Sequence, residues 1–423
     1  PAMSNYNAVL SRNPVSGLAL GPCSQTVAFS HYNHLSAQLP IDPATGRLVD
    51  GDAAAQASQC LTNIAAILDG IGQSLDNVIR VTIFLTDGSD ADAIDAVYRG
   101  FFTDYLPTRT VVGVAALPLG ASVQIEALVS YGLGTIPNAP QANDLVKVAH
   151  NTATAPLSDS STQTVAFSHY NNITAQLPIN PATGELVAGG VQDQARQCLR
   201  NVKSILEAID VPFDDIVKVN IFLTDLADAG AVDEVYSTFF PDSGIARTLG
   251  YVPARTVVPA SWLPRGASVQ VEAVVSHGDG TPPQAVEDRH GLVIRPNNTD
   301  AAPRSALSTQ TVAFSHYNNL SAQLPMDAAG SLVEGGAEAQ AAQCLTYLEA
   351  VVESIGHSLA DVVKVNLYLT DLADLDAVNR AYAEFFPGGV PARRVVGVSE
   401  LPGGASVMID GVLSNAEGTP PVR

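Results

Sequence analysis

One phrase recurs three times. "TVAFSHYNHLSAQLP" (26–40), "TVAFSHYNNITAQLP" (164–178) and "TVAFSHYNNLSAQLP" (311–325) put His31, His169 and His316 in the same context, each followed by Tyr and Asn. An unperturbed imidazole titrates near neutral pH, so these residues offer acid–base chemistry, metal ligation at a shared axis, or backbone capping in a turn. The turn role is the expectation, and no metal or cofactor is expected. A second recurrence is the Arg of "PTR" or "PAR": Arg109, Arg255 and Arg393. A planar guanidinium can hold a carboxylate bidentately, or close an interface salt bridge.

These residues need a scaffold, and the chain repeats one. Taking Gln25, Gln163 and Gln310 as origins, the steps are 138 and 147 residues. Such a period is the size of a whole domain rather than a solenoid repeat. The expected domains are 1–135, 142–278 and 288–423, joined by Gly- and Pro-rich stretches. The second copy carries eight extra residues within "PDSGIARTLGYV", around Arg247 and Tyr251.

Within a copy, Ala57, Cys60, Leu61, Ile64, Leu68 and Ile71 follow helical spacing, with Gly72 as the stop. Ile94, Val97, Tyr98 and Phe101 mark a second helix. The segment 78–86 predicts a strand with Ile79, Val81, Ile83 and Leu85 on one face, and 122–130 another. The order of elements predicts an α+β fold, a sheet with two helices on one face. The opposite face (Arg80, Thr82, Phe84, Gln124, Leu128) is too mixed for bulk solvent and wants a partner.

The 423 residues carry a formal net charge of −21 and only four lysines, Lys147, Lys203, Lys218 and Lys364. That surface disfavours nucleic acid. No stretch approaches the ~20 apolar residues of a membrane span. The opening residues lack a leader pattern. Cys60, Cys198 and Cys344 share the context "QCL", so equivalent positions in separate copies are not expected to pair. A reduced, cytoplasmic location is the expectation.

The "SAQLPIDPATG" hairpin, the strand ending in "FLTD", the "PTR" and the following "LPLGASVQIEA" together resemble the Rid (reactive intermediate deaminase, RidA/YjgF) family, nearly without gaps in all three copies. The resemblance implies three chorismate-mutase-like domains, each with a mostly antiparallel sheet, packed as an intramolecular pseudo-trimer with clefts between neighbours. It implies a monomeric ring acting on small carboxylates, hydrolysing enamines and imines of 2-oxo acids with release of ammonia. Arg109, Arg255 and Arg393 match the family's carboxylate-binding Arg, while the adjacent Arg394 reads as a surface residue. Ser36, Thr174 and Ser321 match a cleft hydroxyl.

Three departures qualify that reading. Where the family has a water-positioning Glu, this chain has Gln124, Gln270 and Met408. Glutamine can orient a water but cannot take its proton, and methionine does neither. Glu126, Glu272 and Asp410, two residues further, either carry the acid role or are interface residues. The family's cleft tyrosine is replaced by Cys23, Ser161 and Ser308. Tyr32, Tyr170 and Tyr317 share a pleat face with Ser36 and its copies, so they are expected to line the cleft in its place. Two other readings stay open: a carboxylate-binding or scaffold protein without turnover, and ring-opening amide hydrolysis by a Ser–Lys pair. The second is disfavoured because the repeated basic position reads Arg80, Lys218, Lys364. The charge also argues against a ribonuclease.

Overall fold

The computed structural model describes residues 9–18, 20–130, 147–241, 251–276 and 294–415. Both interdomain linkers, and Arg247 with most of the second copy's insertion, lie outside the described residues.

In the first copy, strands β1 (Leu10–Arg12), β2 (Thr26–Phe29), β3 (Tyr32–Leu35), β6 (Val78–Leu85), β7 (Thr108–Gly113) and β8 (Val123–Ser130) form one sheet in the order β1-β2-β3-β8-β6-β7. The short strands β4 (Ile41–Asp42) and β5 (Arg47–Leu48) make a separate hairpin. Only β6 and β7 run parallel. Helix α1 (Ala53–Gly70) starts where Asp52 accepts from the Ala55 amide at 3.0 Å. It stops where Gly72 takes φ +75° and the Gln73 amide returns to Leu68 O at 2.8 Å. Its stripe of Ala57, Cys60, Leu61, Ile64 and Leu68 is buried with Val81, Ile83, Val123 and Ile125 of the sheet. Each large side chain so buried stabilises by about 1.5–3 kcal/mol. Helix α2 (Ala91–Phe101) lies beside α1 and buries Ile94 and Tyr98. The second and third copies repeat the same six-stranded order.

One strand face departs from simple alternation. The register of β6 against β8 shifts between Val78 and Arg80, a bulge that turns Ile79 away from the helices. Ile79 instead joins Val27, Phe29 and Tyr32 in a second core, to which the other copies contribute Val165, Phe167, Tyr170 and Val217, then Val312, Phe314, Tyr317 and Val363. This core is shared by all three sheets and marks a pseudo-threefold axis.

The sheet faces that wanted partners find them in neighbouring copies. The Gly113 amide bonds Trp262 O at 2.8 Å, and the Gly397 amide bonds Ala116 O at 2.8 Å. A Cβ on Gly113 would sit 2.7 Å from Trp262 Cβ, so this approach requires glycine. Arg394, expected at the surface, is 8% exposed and lies 4.9 Å over the Phe84 ring of the first copy. Its environment is interdomain because the strand face carrying it packs against the neighbouring sheet.

Candidate active site: arginine clefts between domains

Each Arg of the "PxR" motif stands at a junction, with its backbone stitched to the next domain. The Arg109 amide donates to Thr174 Oγ1 at 3.2 Å, Arg255 to Ser321 Oγ at 3.0 Å and Arg393 to Ser36 Oγ at 2.9 Å. The same hydroxyls donate to carbonyls of their own domains: Ser36 to Ser24 O at 2.6 Å, Thr174 to Thr162 O and Ser321 to Thr309 O. A hydroxyl has one proton to give, so these three are committed to holding the junction that presents the Arg.

The guanidinium groups are aimed by the second helix of their own domain. Arg109, Arg255 and Arg393 lie 4.9, 4.8 and 4.7 Å over Tyr98, Tyr236 and Tyr382. A hydrogen bond then fixes each: Arg109 to Asp95 and Arg255 to Asp233, both at 2.6 Å, but Arg393 to Asn379 at 2.9 Å. The first two are ion pairs. Only Arg393, 4% exposed, has a neutral partner there. The signal was present in the sequence as "IDAVY", "VDEVY" and "VNRAY", one column reading Asp, Asp, Asn.

Across each cleft stands the strand residue of the following domain, so the working pairs are formed between copies. Gln270 shares with Arg109 a cavity of about 270 Å³ that also holds Ser161, Thr174 and Asp95. Gln124 shares with Arg393 a cavity of about 160 Å³ that includes Cys23, Ala37 and Asn379. The Gln270 amide donates to Val111 O at 3.0 Å and the Gln124 amide to Val395 O at 3.1 Å. Met408 holds the equivalent register position, opposite Tyr368, in the domain facing Arg255. Burial raises the pKa of the Cys23 thiol, an effect tempered by Ser36 and Arg393. A raised pKa disfavours the thiolate form that a cysteine nucleophile needs.

The expected place of the tyrosines is corrected. Tyr32, Tyr170 and Tyr317 stand on the axis, their rings 5.9–6.4 Å apart in edge-on contact. Each hydroxyl donates to the backbone of the next copy: Tyr32 to Phe167 O, Tyr170 to Phe314 O and Tyr317 to Phe29 O. The inference from a shared pleat fails because the pairing shifts after the strand's fourth residue, between Ile173 and Gln176 in the second copy. Tyr32 and Ser36 therefore face different neighbours.

Glu126 and Glu272 also lie away from the arginine clefts. With Asp410 they line a polar cavity of about 60 Å³ among the three sheets. Glu126 binds Lys364 and Arg394; Glu272 binds Thr110 and, at 2.7 Å, Asn220. Asp410 binds Lys218 at 3.2 Å and Asn366 at 2.7 Å. Burial alone would raise the Glu126 pKa, but Arg394 and Lys364 outweigh it and hold the carboxyl at about 2. The pairing explains why an acid recurs on this strand without serving the cleft.

The family model described as Endoribonuclease L-PSP matches three times, over residues 15–131, 152–277 and 299–413. A RutC family protein of Sinorhizobium fredii is 44% identical over 121 residues, which are 29% of this chain and 95% of that protein. The 2-iminobutanoate/2-iminopropanoate deaminase of Bos taurus is 42% identical over 114 residues, 27% of this chain and 83% of the relative. Among solved structures, RidA from an Antarctic Psychrobacter is 32% identical, with 30% of this chain and 98% of that one covered and a TM-score of 0.28. No helix among the described residues is long and apolar enough to cross a membrane.

Proposed function

Since the chain belongs to the Rid family, with three of its domains in one polypeptide, we propose that it hydrolyses imines and enamines of small 2-oxo acids, chiefly in the cleft between the third and first domains. The observation that carries this reading is Arg393, buried, with neutral Asn379 as its partner and Gln124 across the cavity. A substrate carboxylate is the natural counter-ion for a desolvated guanidinium whose neighbour leaves its charge uncompensated.

With the carboxylate on Arg393, the C=N carbon faces Gln124. The amide nitrogen of Gln124 is held by Val395 O, which leaves its carbonyl oxygen to accept from a water. The water oxygen adds to the carbon while the C=N electron pair moves to nitrogen, which takes the proton the water releases. The resulting carbinolamine collapses: its hydroxyl proton passes to the amine nitrogen, the C–N bond breaks, ammonia leaves, and the O–H electron pair forms the carbonyl of the 2-oxo acid. The electrophile is activated already, so orientation supplies what the glutamine cannot supply as a base.

Asp95 and Asp233 already neutralise the arginines of the other two clefts, and Met408 offers no hydrogen bond to a water. Those clefts act as weaker sites or as scaffold. The test is hydrolysis of 2-iminopropionate generated in situ by an amino-acid oxidase, with semicarbazide trapping what remains. Arg393→Ala is expected to remove most of the turnover, and Arg109→Ala and Arg255→Ala to remove little. No turnover in the wild type, with pyruvate still protecting it against heat, would favour a binding protein instead.

A further inference from the structure

The phrase shared by all three copies ends at the axis. Phe29 pairs with Tyr32 across a two-residue turn, Ser30 and His31, and the same turn recurs at Ser168 and His169 and at Ser315 and His316. The three serines take left-handed φ values of 53°, 53° and 50°. Each turn thereby sends its imidazole to one point. Ring centroids are 4.8 Å apart for His31 and His316, 5.0 Å for His169 and His316, and 6.1 Å for His31 and His169. One ring nitrogen from each lies within 4.8 Å of the other two.

We propose that His31, His169 and His316 bind one first-row divalent cation, Zn²⁺ foremost, on the pseudo-threefold axis. The donor set decides the class: three imidazoles suit Zn²⁺, Co²⁺, Ni²⁺ or Cu²⁺ rather than Ca²⁺ or Mg²⁺. Bonds of ~2.0–2.1 Å in tetrahedral geometry put the nitrogens ~3.4 Å apart, so side-chain rotation must close the triad by about 1.4 Å. A ligating nitrogen must be unprotonated, and His31 sits buried with its ring against those of His169 and His316 rather than against a carboxylate. His31 Nδ1 is shut off from solvent without a hydrogen-bond partner, the state that coordination or a metal-driven rotation would relieve.

The surroundings fix the rest of the shell. On one side the tyrosine ring closes the axis, its hydroxyls already given to Phe29, Phe167 and Phe314 carbonyls. The fourth ligand therefore comes from the other side as water. His169 is only half-buried and provides the way in. The ion would tie one turn from each domain into a single node, a link no pair of domains can make alone.

The experiment uses the full chain without an affinity tag, freed of metal by a chelator and dialysed. Titration with Zn²⁺ and elemental analysis should give one ion per chain, and Zn²⁺ should raise the thermal midpoint. His169→Ala should weaken binding at least tenfold and abolish the thermal shift, while His150→Ala, on an exposed strand, should change neither. Should His169→Ala fail to fold, Cu²⁺-loaded wild type decides: electron spin-echo spectra must count three imidazoles at one ion. Absence of stoichiometric binding, binding untouched by His169→Ala, or fewer than three imidazoles overturns the site.

Discussion

Arg393 donates to Asn379 at 2.9 Å where its two counterparts are ion-paired to aspartates at 2.6 Å. One exchange of carboxamide for carboxylate thus separates a charged cleft from two neutralised ones. Asn379→Asp should lower kcat/KM for an anionic imine by about tenfold, the effect of ~1.4 kcal/mol of lost carboxylate affinity. The converse change, Asp95→Asn, should bring pyruvate binding to the Arg109 cleft, read by calorimetry as a rise in stoichiometry. Unchanged kinetics in Asn379→Asp would remove the argument for a preferred cleft.

Gln124 and Met408 share a register position but face different arginines. If water orientation is the glutamine's contribution, Gln124→Ala should cut kcat about tenfold to a hundredfold with little change in KM, as expected for a lost positioning group. Met408→Ala should leave kcat within twofold. Equal losses in the two variants would mean that both report on packing.

Tyr32→Phe probes the axis rather than the cleft. It removes the hydroxyl's hydrogen bond to the Phe167 carbonyl, which should cost about 0.5–1.5 kcal/mol of stability and leave KM unchanged. Denaturant titration and steady-state kinetics on the same preparation separate the two effects. A raised KM would return the tyrosine to the site.

Glu126 offers a stronger contrast. It is 5% exposed and faces two cations, Arg394 and Lys364, that Glu126→Gln would leave buried with one fewer charge against them. A loss of about 3–5 kcal/mol is expected on denaturation. A variant of wild-type stability with abolished turnover would identify Glu126 as the missing acid after all.

The triplicated fold was legible because helical spacing at Ala57, Cys60, Leu61 and Ile64 and alternation in 122–130 report local geometry directly. The arginine position was legible through the motif's resemblance, and so was the Gln-for-Glu departure. What the sequence hid depends on irregular register. A bulge at Val78–Arg80 reversed Ile79, and a second after the His-Tyr-Asn strand parted Tyr32 from Ser36. A single residue's slip is invisible to a period-two reading. The burial of Arg394 was hidden for another reason: its partner Glu126 lies 268 residues away in a neighbouring copy.

His34 is the one place where the first copy departs from the axial pattern, since the others have Asn172 and Asn319. It lines the polar cavity, and its Nε2 is shut off from solvent without a partner. Burial first, then Lys364 and Arg80, lower its pKa to about 3, with Glu126 acting weakly the other way. The folded protein keeps this imidazole neutral while the unfolded chain protonates it near pH 6.5. The unfolded state therefore binds more protons between about pH 6.5 and 3, and stability must fall as pH drops through that window. The slope from this group is at most about 1.4 kcal/mol per pH unit, and less to the extent that water reaches the ring. His34→Asn should flatten the acid limb of a urea-midpoint against pH curve and leave the points above pH 7 parallel to wild type. An acid limb of unchanged steepness would show that His34 is solvated well enough to titrate normally in the folded state.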